Sequence, residues 1–340
     1  MSELHYPLKD VPAPGTALPL VDGMLWVRLP VPGALRHINV WLLDDGDSWT
    51  LVDTGMNEPD SRAAWDGALH DRLGGRPIRR IVCTHHHPDH AGLAQYLAER
   101  HGATILMTAG EDAVLRRVEH ALADELLEEA RVAAVEAEGL RVEGALAQVI
   151  RLERYRGVMS GLPANVTHVV DGERLEMAGR TWTAHVLGGH TDAQLVLHCE
   201  RDGLLISADQ VLPRISSNVG IFPERADANP LDSYLRSFDV LDALPADVLV
   251  LPAHGNPFRG LRTRIAQLRE HHADTLRSIP PLLDEPRTAA ELARELYRRP
   301  LDPLNTYLAM AETLAHVRYL VASGALTTGD ALPRRYVRAA

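Results

Sequence analysis

The segment Ile81-Val82-Cys83-Thr84-His85-His86-His87-Pro88-Asp89-His90-Ala91-Gly92 decides how this chain is read. Its apolar, partly β-branched opening predicts the end of a buried strand, and Leu93 to Arg100 predicts the helix that follows. The polar hexapeptide therefore sits at a strand-to-helix junction. In extended backbone, alternate side chains share a face, so His85 and His87 converge on one point while His86 faces elsewhere. Loss of His86 is accordingly expected to spare both metal and activity. After Pro88 the turn into helix aims Asp89 and His90 at a second point close by, as in a two-metal hydrolytic site. Three imidazoles and a carboxylate suit zinc, with manganese or iron as alternatives. The bland alternative is a histidine-rich surface loop, and the position of the run behind a buried strand argues against it.

Three further stretches repeat the arrangement. Trp182 to Leu187 leads to Gly188-Gly189-His190-Thr191, Leu204 to Ala208 ends on Asp209, and Val248 to Leu251 leads to Pro252-Ala253-His254-Gly255. A single histidine of this kind is ordinarily a plain loop residue; metal-capable residues just past one strand after another form a pattern.

The ordered set H-x-H-x-D-H, G-H-T, S-A-D and A-H-G resembles the metallo-β-lactamase-fold hydrolase superfamily over about residues 20 to 257. The resemblance implies an α/β fold, an αββα sandwich with a dinuclear site on one edge. By position His85, His87 and His190 would hold the first metal and Asp89, His90 and His254 the second, with Asp209 bridging them. Aspartate at 209, rather than cysteine or serine, is closer to the glyoxalase II, lactonase and ribonuclease branches than to the antibiotic-cleaving one. His87, where oxygen-reducing diiron relatives carry glutamate, argues against that redox branch.

Composition bounds the rest. At 340 residues and 46% hydrophobic content the chain can bury a full core, and a net charge of −11 argues against a general binder of nucleic acid or anionic membrane. Lys9 is the only lysine, and Cys83 and Cys199, both in strand-like contexts, are the only cysteines, so no disulfide framework is expected. The N-terminus has no signal-like apolar region and no apolar run reaches the roughly 20 residues of a membrane span, which leads to the expectation of a soluble cytoplasmic protein.

In chain order, residues 1–20 are Pro-rich and are expected to be a loosely held arm, followed by a catalytic domain over 21–257. Met24 to Leu29, Ile38 to Leu43 and Trp49 to Asp53 predict a β-meander. Asp53-Thr54-Gly55 is either a plain strand-end turn or, as the resemblance implies, places Asp53 to orient a ligand loop. Ser61 to Leu73 predicts one helix. About residues 111–160 read as a helical insertion, with Leu115, Val118, Leu122, Leu126 and Leu127 at helical spacing. Such a stripe is most simply core or dimer contact; the sharper reading makes the insertion, with Tyr155, Arg156 and Met159 at its end, a substrate-selecting wall. The loop after Asp209 offers Arg214 and Asn218, with Arg214 the candidate for binding a substrate carboxylate.

Residues 258–340 form a C-terminal helical unit carrying 13 arginines against 9 acids, a net +4. Predicted helices Leu261 to Ser278, Thr288 to Tyr297 and Ala309 to Val321, then a β-wing within Leu326 to Val337, resemble a winged-helix module. That analogy is weak evidence for nucleic-acid binding, and a dimer contact or active-site wall is the plainer reading.

Two divalent metals sharing a water lower its pKa from about 15.7 toward about 7, so the expected mechanism is metal-bound hydroxide attacking a carbonyl, with Asp89 orienting the nucleophile and relaying its proton. The leading expectation is a dinuclear hydrolase of a small acyl thioester, ester or lactone. Glyoxalase II itself fits poorly, because its glutathione site resembles a basic patch supplied partly by lysines. The alternatives are a single-strand endoribonuclease and a metal-bound sensor or regulatory protein.

Overall fold

The computed structural model describes residues 3–151, 153–225 and 228–339, with the side chains of residues 122, 153, 154 and 156 outside that description. Two sheets form its centre. The first has seven strands in chain order: β1 (Thr16–Val21), β2 (Met24–Pro30), β3 (His37–Asp44), β4 (Trp49–Val52), β5 (Ile78–Val82), β6 (Thr104–Met107) and β7 (Val166–His168). Strands β1 to β4 pair antiparallel and β4 to β7 parallel. The second sheet runs β12 (Leu249–Pro252), β11 (Leu204–Ala208), β10 (Gln194–Cys199), β9 (Arg180–Leu187) and β8 (Arg174–Met177), antiparallel except for the β11–β12 pair.

Both faces of the central strands are covered, which is why their sequences run apolar rather than alternating. Along β2 and β3, Val27, Leu29, Ile38, Val40 and Leu42 pack outward, with α1 (Pro59–Asp66), α2 (Ala68–Leu73) and α4 (Ala94–His101) over that face. Between them Trp26, Trp41 and Leu43 point inward to meet Trp182, Leu195, Leu197 and Ile206 of the second sheet. The outer face of that sheet, with Val196, Leu205 and Val250, packs on Tyr234 and Phe238 of α9 (Pro230–Asp242) and Ile265 of α10 (Leu261–Ser278). Helix, sheet, sheet, helix is thus legible in the cores themselves, an αββα sandwich. Each buried indole removes roughly 200 Å² from water, worth about 5 kcal/mol before entropic costs.

Differences from expectation have local causes. Thr16–Val21 is an edge strand paired with β2, and His5 bridges Arg259, so the expected loose arm is tied to the sandwich. Pro19 is tolerated there because an edge strand need not donate on both sides. The single helix expected over Ser61 to Leu73 is split at Gly67.

The insertion comprises α5 (Ala109–Ala123), α6 (Glu125–Glu136), α7 (Gly144–Ile150) and α8 (Glu153–Val158), between β6 and β7. Leu115 and Val118 of the predicted stripe are buried; Leu126 and Leu127 are exposed, at 74% and 46%, and the side chain of Leu122 lies outside the described residues. The core-facing side of α6 uses Val135 and Arg131 instead. Val135, Leu140 and Ile150 share a core with Leu292 of α11 (Ala289–Leu296) and with Met310 and Leu314 of α12 (Pro303–Ala322). Helix α11 opens with the Thr288/Glu291 capping box, and β13 (Leu326–Thr328) pairs with β14 (Tyr336–Arg338) as the wing. Helix α12 begins at Pro303, six residues before the predicted start, because Asp302 caps it and proline is favoured in a first turn.

Candidate metal centre

Four strand ends from the two sheets meet at one edge. His85 follows β5, His190 follows β9, Asp209 follows β11 and His254 follows β12. Backbone bonds stitch these ends together: Leu195 N donates to Thr84 O at 2.8 Å and Ala253 N to Ala208 O at 3.0 Å. His87 is still extended, with φ −61° and ψ 147°, and Pro88 starts the four-residue helix α3 (Pro88–Ala91), which carries Asp89 and His90 in its only turn.

Ring orientations are set one by one. A carbonyl only accepts, so the Nδ1 atoms of His190 and His254 carry protons, donating to Asn218 O at 2.9 Å and His37 O at 2.7 Å. His90 Nδ1 donates to Asp53 Oδ2 at 2.8 Å. The Thr84 hydroxyl gives its proton to the same carboxylate at 2.9 Å and can accept from His85 Nδ1 at 3.2 Å. Each of these four rings turns Nε2, the atom that carries a lone pair once the ring is neutral, toward its neighbours.

Those lone pairs fall into two groups. His87 Nδ1 lies 3.0 Å from His85 Nε2 and 3.1 Å from His190 Nε2, close to the roughly 3.4 Å that separates ligands around a tetrahedral zinc. The second group is Asp89, His90 and His254, with Asp89 Oδ2 3.3 Å from His254 Nε2 and 3.7 Å from His90 Nε2. Asp209 faces both: Oδ2 is 3.4 Å from His190 Nε2, and Oδ1 is 3.5 Å from His254 Nε2 and 3.7 Å from His90 Nε2. His90 Nε2, His254 Nε2 and Asp209 Oδ1 are buried without a hydrogen-bond partner among the described residues. Buried lone pairs facing one another and left unpaired are costly unless a cation sits among them, so the donor set fits divalent metal.

Electrostatics separates the two groups. Burial and neighbouring imidazoles hold His85 and His87 well below the usual histidine range, which keeps their lone pairs open. At His254 burial is outweighed by the Asp209 and Asp89 carboxylates, which raise it to about 10, and metal entering there displaces that proton. Asp209 is held well below the carboxylate range, burial being outweighed by His254 and His90.

Several supporting residues lie outside the motifs that mark the candidate ligands. Glu111, fully buried on α5, accepts from His86 Nδ1 at 2.6 Å, His86 N at 3.1 Å and Ala193 N at 2.9 Å, joining the loops of His85 and His190. His86 does face away from the metal cluster, but it is half of a buried pair, so its removal is not neutral for the fold. Thr108-x-x-Glu111 has the form of a capping box, a visible signal, and the glutamate leaves the cap to serve His86. Asn39, buried in β3, accepts from Trp26 Nε1 and donates to Pro252 O and Gly255 O, both at 2.8 Å, holding the turn of His254. Arg225 donates to Gly189 O at 3.0 Å and His190 O at 3.1 Å.

Two glycines are required by close approach. A Cβ on Gly92 would lie 2.8 Å from Val158 O and 2.9 Å from Asn57 N; one on Gly189, at φ 120°, would lie 2.4 Å from Tyr234 Cβ. Asp53 and Ala208 adopt φ of 59° and 45°, positions that cost energy for residues with a Cβ, and both stand at the cluster.

The remaining predicted residues fall around this centre. Tyr155, on α8, donates to His86 O at 3.3 Å, and burial raises its phenol above the usual range. The side chain of Arg156 lies outside the described residues. Asn218 turns its side chain toward Leu308 O at 3.4 Å and uses its carbonyl on His190, while Arg214 is exposed on the same loop.

An αββα sandwich with histidine and carboxylate clusters at the strand ends defines a metallo-hydrolase class, and the chain belongs to the metallo-beta-lactamase superfamily, which residues 33–254 match. Residues 276–339 match the metallo-beta-lactamase-like C-terminal domain. A beta-lactamase domain protein from Burkholderia ambifaria is 37% identical with a TM-score of 0.87, over 99% of this chain and 98% of that one. A metallo-beta-lactamase family protein from Thermus thermophilus is 32% identical with a TM-score of 0.81, over 94% and 99%. The probable metallo-hydrolase YqjP of Bacillus subtilis (strain 168) is 27% identical over 323 residues, 90% of this chain and 95% of that protein. No helix among the described residues is long and apolar enough to cross a membrane.

Proposed function

We propose that the protein is a dinuclear zinc hydrolase of a small acyl thioester, ester or lactone, working in the cytoplasm on a small-molecule substrate. The observation that carries this reading is Asp209, whose two carboxylate oxygens face different histidine clusters. His85, His87 and His190 would hold one ion and Asp89, His90 and His254 the other, with Asp209 between them. When bound, such ions supply a water acidified toward neutral pH and a Lewis-acid pull on negative charge developing at the substrate.

The side chains do the rest. Asp89, low in pKa because His90 and His254 outweigh its burial, is the carboxylate placed to orient a water and take its proton. Asp53 and the carbonyls of His37 and Asn218 keep three imidazoles in the tautomer that presents Nε2. A covalent side-chain route finds no support here: Cys83 is buried with its thiol pushed well up, by burial and then by Asp53, and Ser217 donates to the Asp209 carbonyl. Tyr155 gives the substrate a wall from the insertion, and Arg214 a cation for a carboxylate.

The arginines of the C-terminal region weigh against a single-strand ribonuclease, because Arg269, Arg277, Arg318, Arg334, Arg335 and Arg338 all pair with acids of this chain. These six of the thirteen are thereby engaged within the fold.

The test is thiol release from a panel of acyl thioesters by zinc-loaded protein, with Asp209→Ala as the blank. Turnover lost in the variant is expected. No release above the blank, on thioesters or on an ester and lactone panel, overturns the acyl-hydrolase reading, and cleavage of a labelled single strand then becomes the competing assay.

A further inference from the structure

A second cluster of metal-capable side chains lies far along the chain from the sandwich edge, between α10 and α12. His271, His272 and Glu312 each offer one donor atom, and the three atoms lie within 4.8 Å of one another. His271 is exposed, His272 is fully buried, and Glu312 is half-buried.

The tautomers can be assigned from the hydrogen bonds. His316 Nδ1 lies 2.8 Å from the Glu312 carbonyl, which only accepts, so His316 carries its proton on Nδ1 and its Nε2 is an acceptor. His272 Nδ1, 3.0 Å from that Nε2, must therefore be the donor. The remaining nitrogen, His272 Nε2, is a bare lone pair, buried and without a partner among the described residues. An imidazole oriented through its other N–H, with a free lone pair and with a carboxylate and a second imidazole nearby, is the arrangement of a metal-ligating histidine and its outer support. Tyr297 donates its hydroxyl to Glu312 Oε2 at 3.0 Å, and burial raises the Glu312 carboxyl to about 7, so an ion held there would take the place of a proton.

We propose that His271, His272 and Glu312 form an additional site for a borderline divalent ion such as zinc, nickel or cobalt, clamping α10 to α12. Two imidazoles and one carboxylate suit these metals rather than magnesium or calcium. Ligands around such an ion stand about 3.4 Å apart, so donor atoms up to 4.8 Å apart would close by up to about 1.4 Å on binding, a movement to which the exposed His271 can contribute. The clamp has a neighbour of consequence. Ala311, next to Glu312, accepts from Ile221 N at 3.1 Å, and Leu308 O meets Asn218 at 3.4 Å, so α12 supports the loop whose carbonyl orients His190.

The experiment compares metal equivalents per chain in the full-length wild type, His271→Ala and Glu312→Gln. Each is titrated with Co²⁺ or Zn²⁺ under equilibrium dialysis, and circular dichroism monitors the fold. Each variant is expected to bind one equivalent fewer, or to bind that equivalent at least about 100-fold more weakly, a larger loss than removal of an outer partner gives. Metal held at the sandwich edge should stay unchanged. Because the readout is a difference between variants, it does not depend on how many ions the sandwich edge holds. The exposed position of His271 keeps the test valid even where Glu312→Gln fails to fold. Equal stoichiometry and affinity in His271→Ala and wild type would overturn the site.

Discussion

Replacing Glu111 with alanine removes a carboxylate that touches no proposed metal ligand directly, yet both ligand loops lean on it. Its loss leaves the His86 ring, His86 N and Ala193 N as buried donors without an acceptor. Leaving buried donors without their acceptor costs about 1–3 kcal/mol each, or about 3–5 kcal/mol for the three together. An independent route agrees: the carboxyl sits at about 2 against an ordinary 4.5, burial being outweighed by His86 and the neighbouring donors, which corresponds to about 3 kcal/mol. With an unfolding entropy of about 2.1 cal/mol/K per residue over 340 residues, that loss lowers Tm by about 4–7 °C. Metal affinity should fall roughly 10–100-fold, as it does when a partner behind a ligand is removed. Calorimetry of the apo protein and zinc competition with a chelating dye measure the two effects separately. The double variant His86→Ala/Glu111→Ala should be less destabilised than the sum of the single variants, because it removes the stranded His86 ring, leaving only the two backbone donors unmet. A Glu111→Ala protein that melts within about 1 °C of wild type and keeps its zinc affinity refutes the reasoning.

The same carboxylate gives a pH signature. Its folded pKa lies below its unfolded one, so its stabilisation is fully present above about 4.5 and is lost as pH falls toward about 2; the gap between wild type and Glu111→Gln in acid denaturation should close over that window, and a constant gap would count against it. Asp209→Ala should lose or disorder metal and abolish hydrolysis, and two bound metals with full activity would dismantle the assignment. Asp53→Ala frees the ring of His90 and should weaken metal binding roughly 10–100-fold with the fold retained, read by zinc competition. Gly189→Ala forces a Cβ to 2.4 Å from Tyr234 and should displace His190, seen as lost metal in a protein of native circular dichroism; unchanged metal content would mean that the loop has slack.

The sandwich and the converging side chains were legible because each leaves a local trace. An apolar run ended by a polar, metal-capable residue recurs four times, and period-2 geometry separates His85 and His87 from His86 without any tertiary knowledge. What was illegible depends on partners distant in sequence. Glu111 reads as an ordinary first-turn acid, and only the fold brings His86, 25 residues earlier, to its carboxylate. Asn39 sits in an apolar strand as an apparent blemish, and its partners, Pro252 O and Gly255 O, lie more than 200 residues away. The Leu126 and Leu127 stripe misled because helical period marks an apolar face without saying whether anything covers it.

The way the rings are held separates two tasks in this chain. Among the proposed ligands, every imidazole whose orientation is set by a carbonyl or carboxylate takes it from the strand ends or from the loop after Asp209. The surrounding wall is held differently. Arg131 of the insertion bonds Ile150 O at 2.6 Å and pairs with Glu224, and its guanidinium lies 3.4 Å from Tyr307 of α12. Glu138, just past α6, receives Tyr336 at 2.7 Å, Arg318 at 3.2 Å and Arg334. Insertion and C-terminal region are therefore one packed body with its own core and its own buried ion pairs, resting against the metal edge through Tyr155 and residues 218–225. In physical terms, the proposed metal donors are oriented by the sandwich, with Glu111 of the insertion bracing two of their loops, while the wall beside them is held by contacts between the insertion and the C-terminal helices. Substitutions in that second set are expected to change substrate choice while leaving the metal donors as they are.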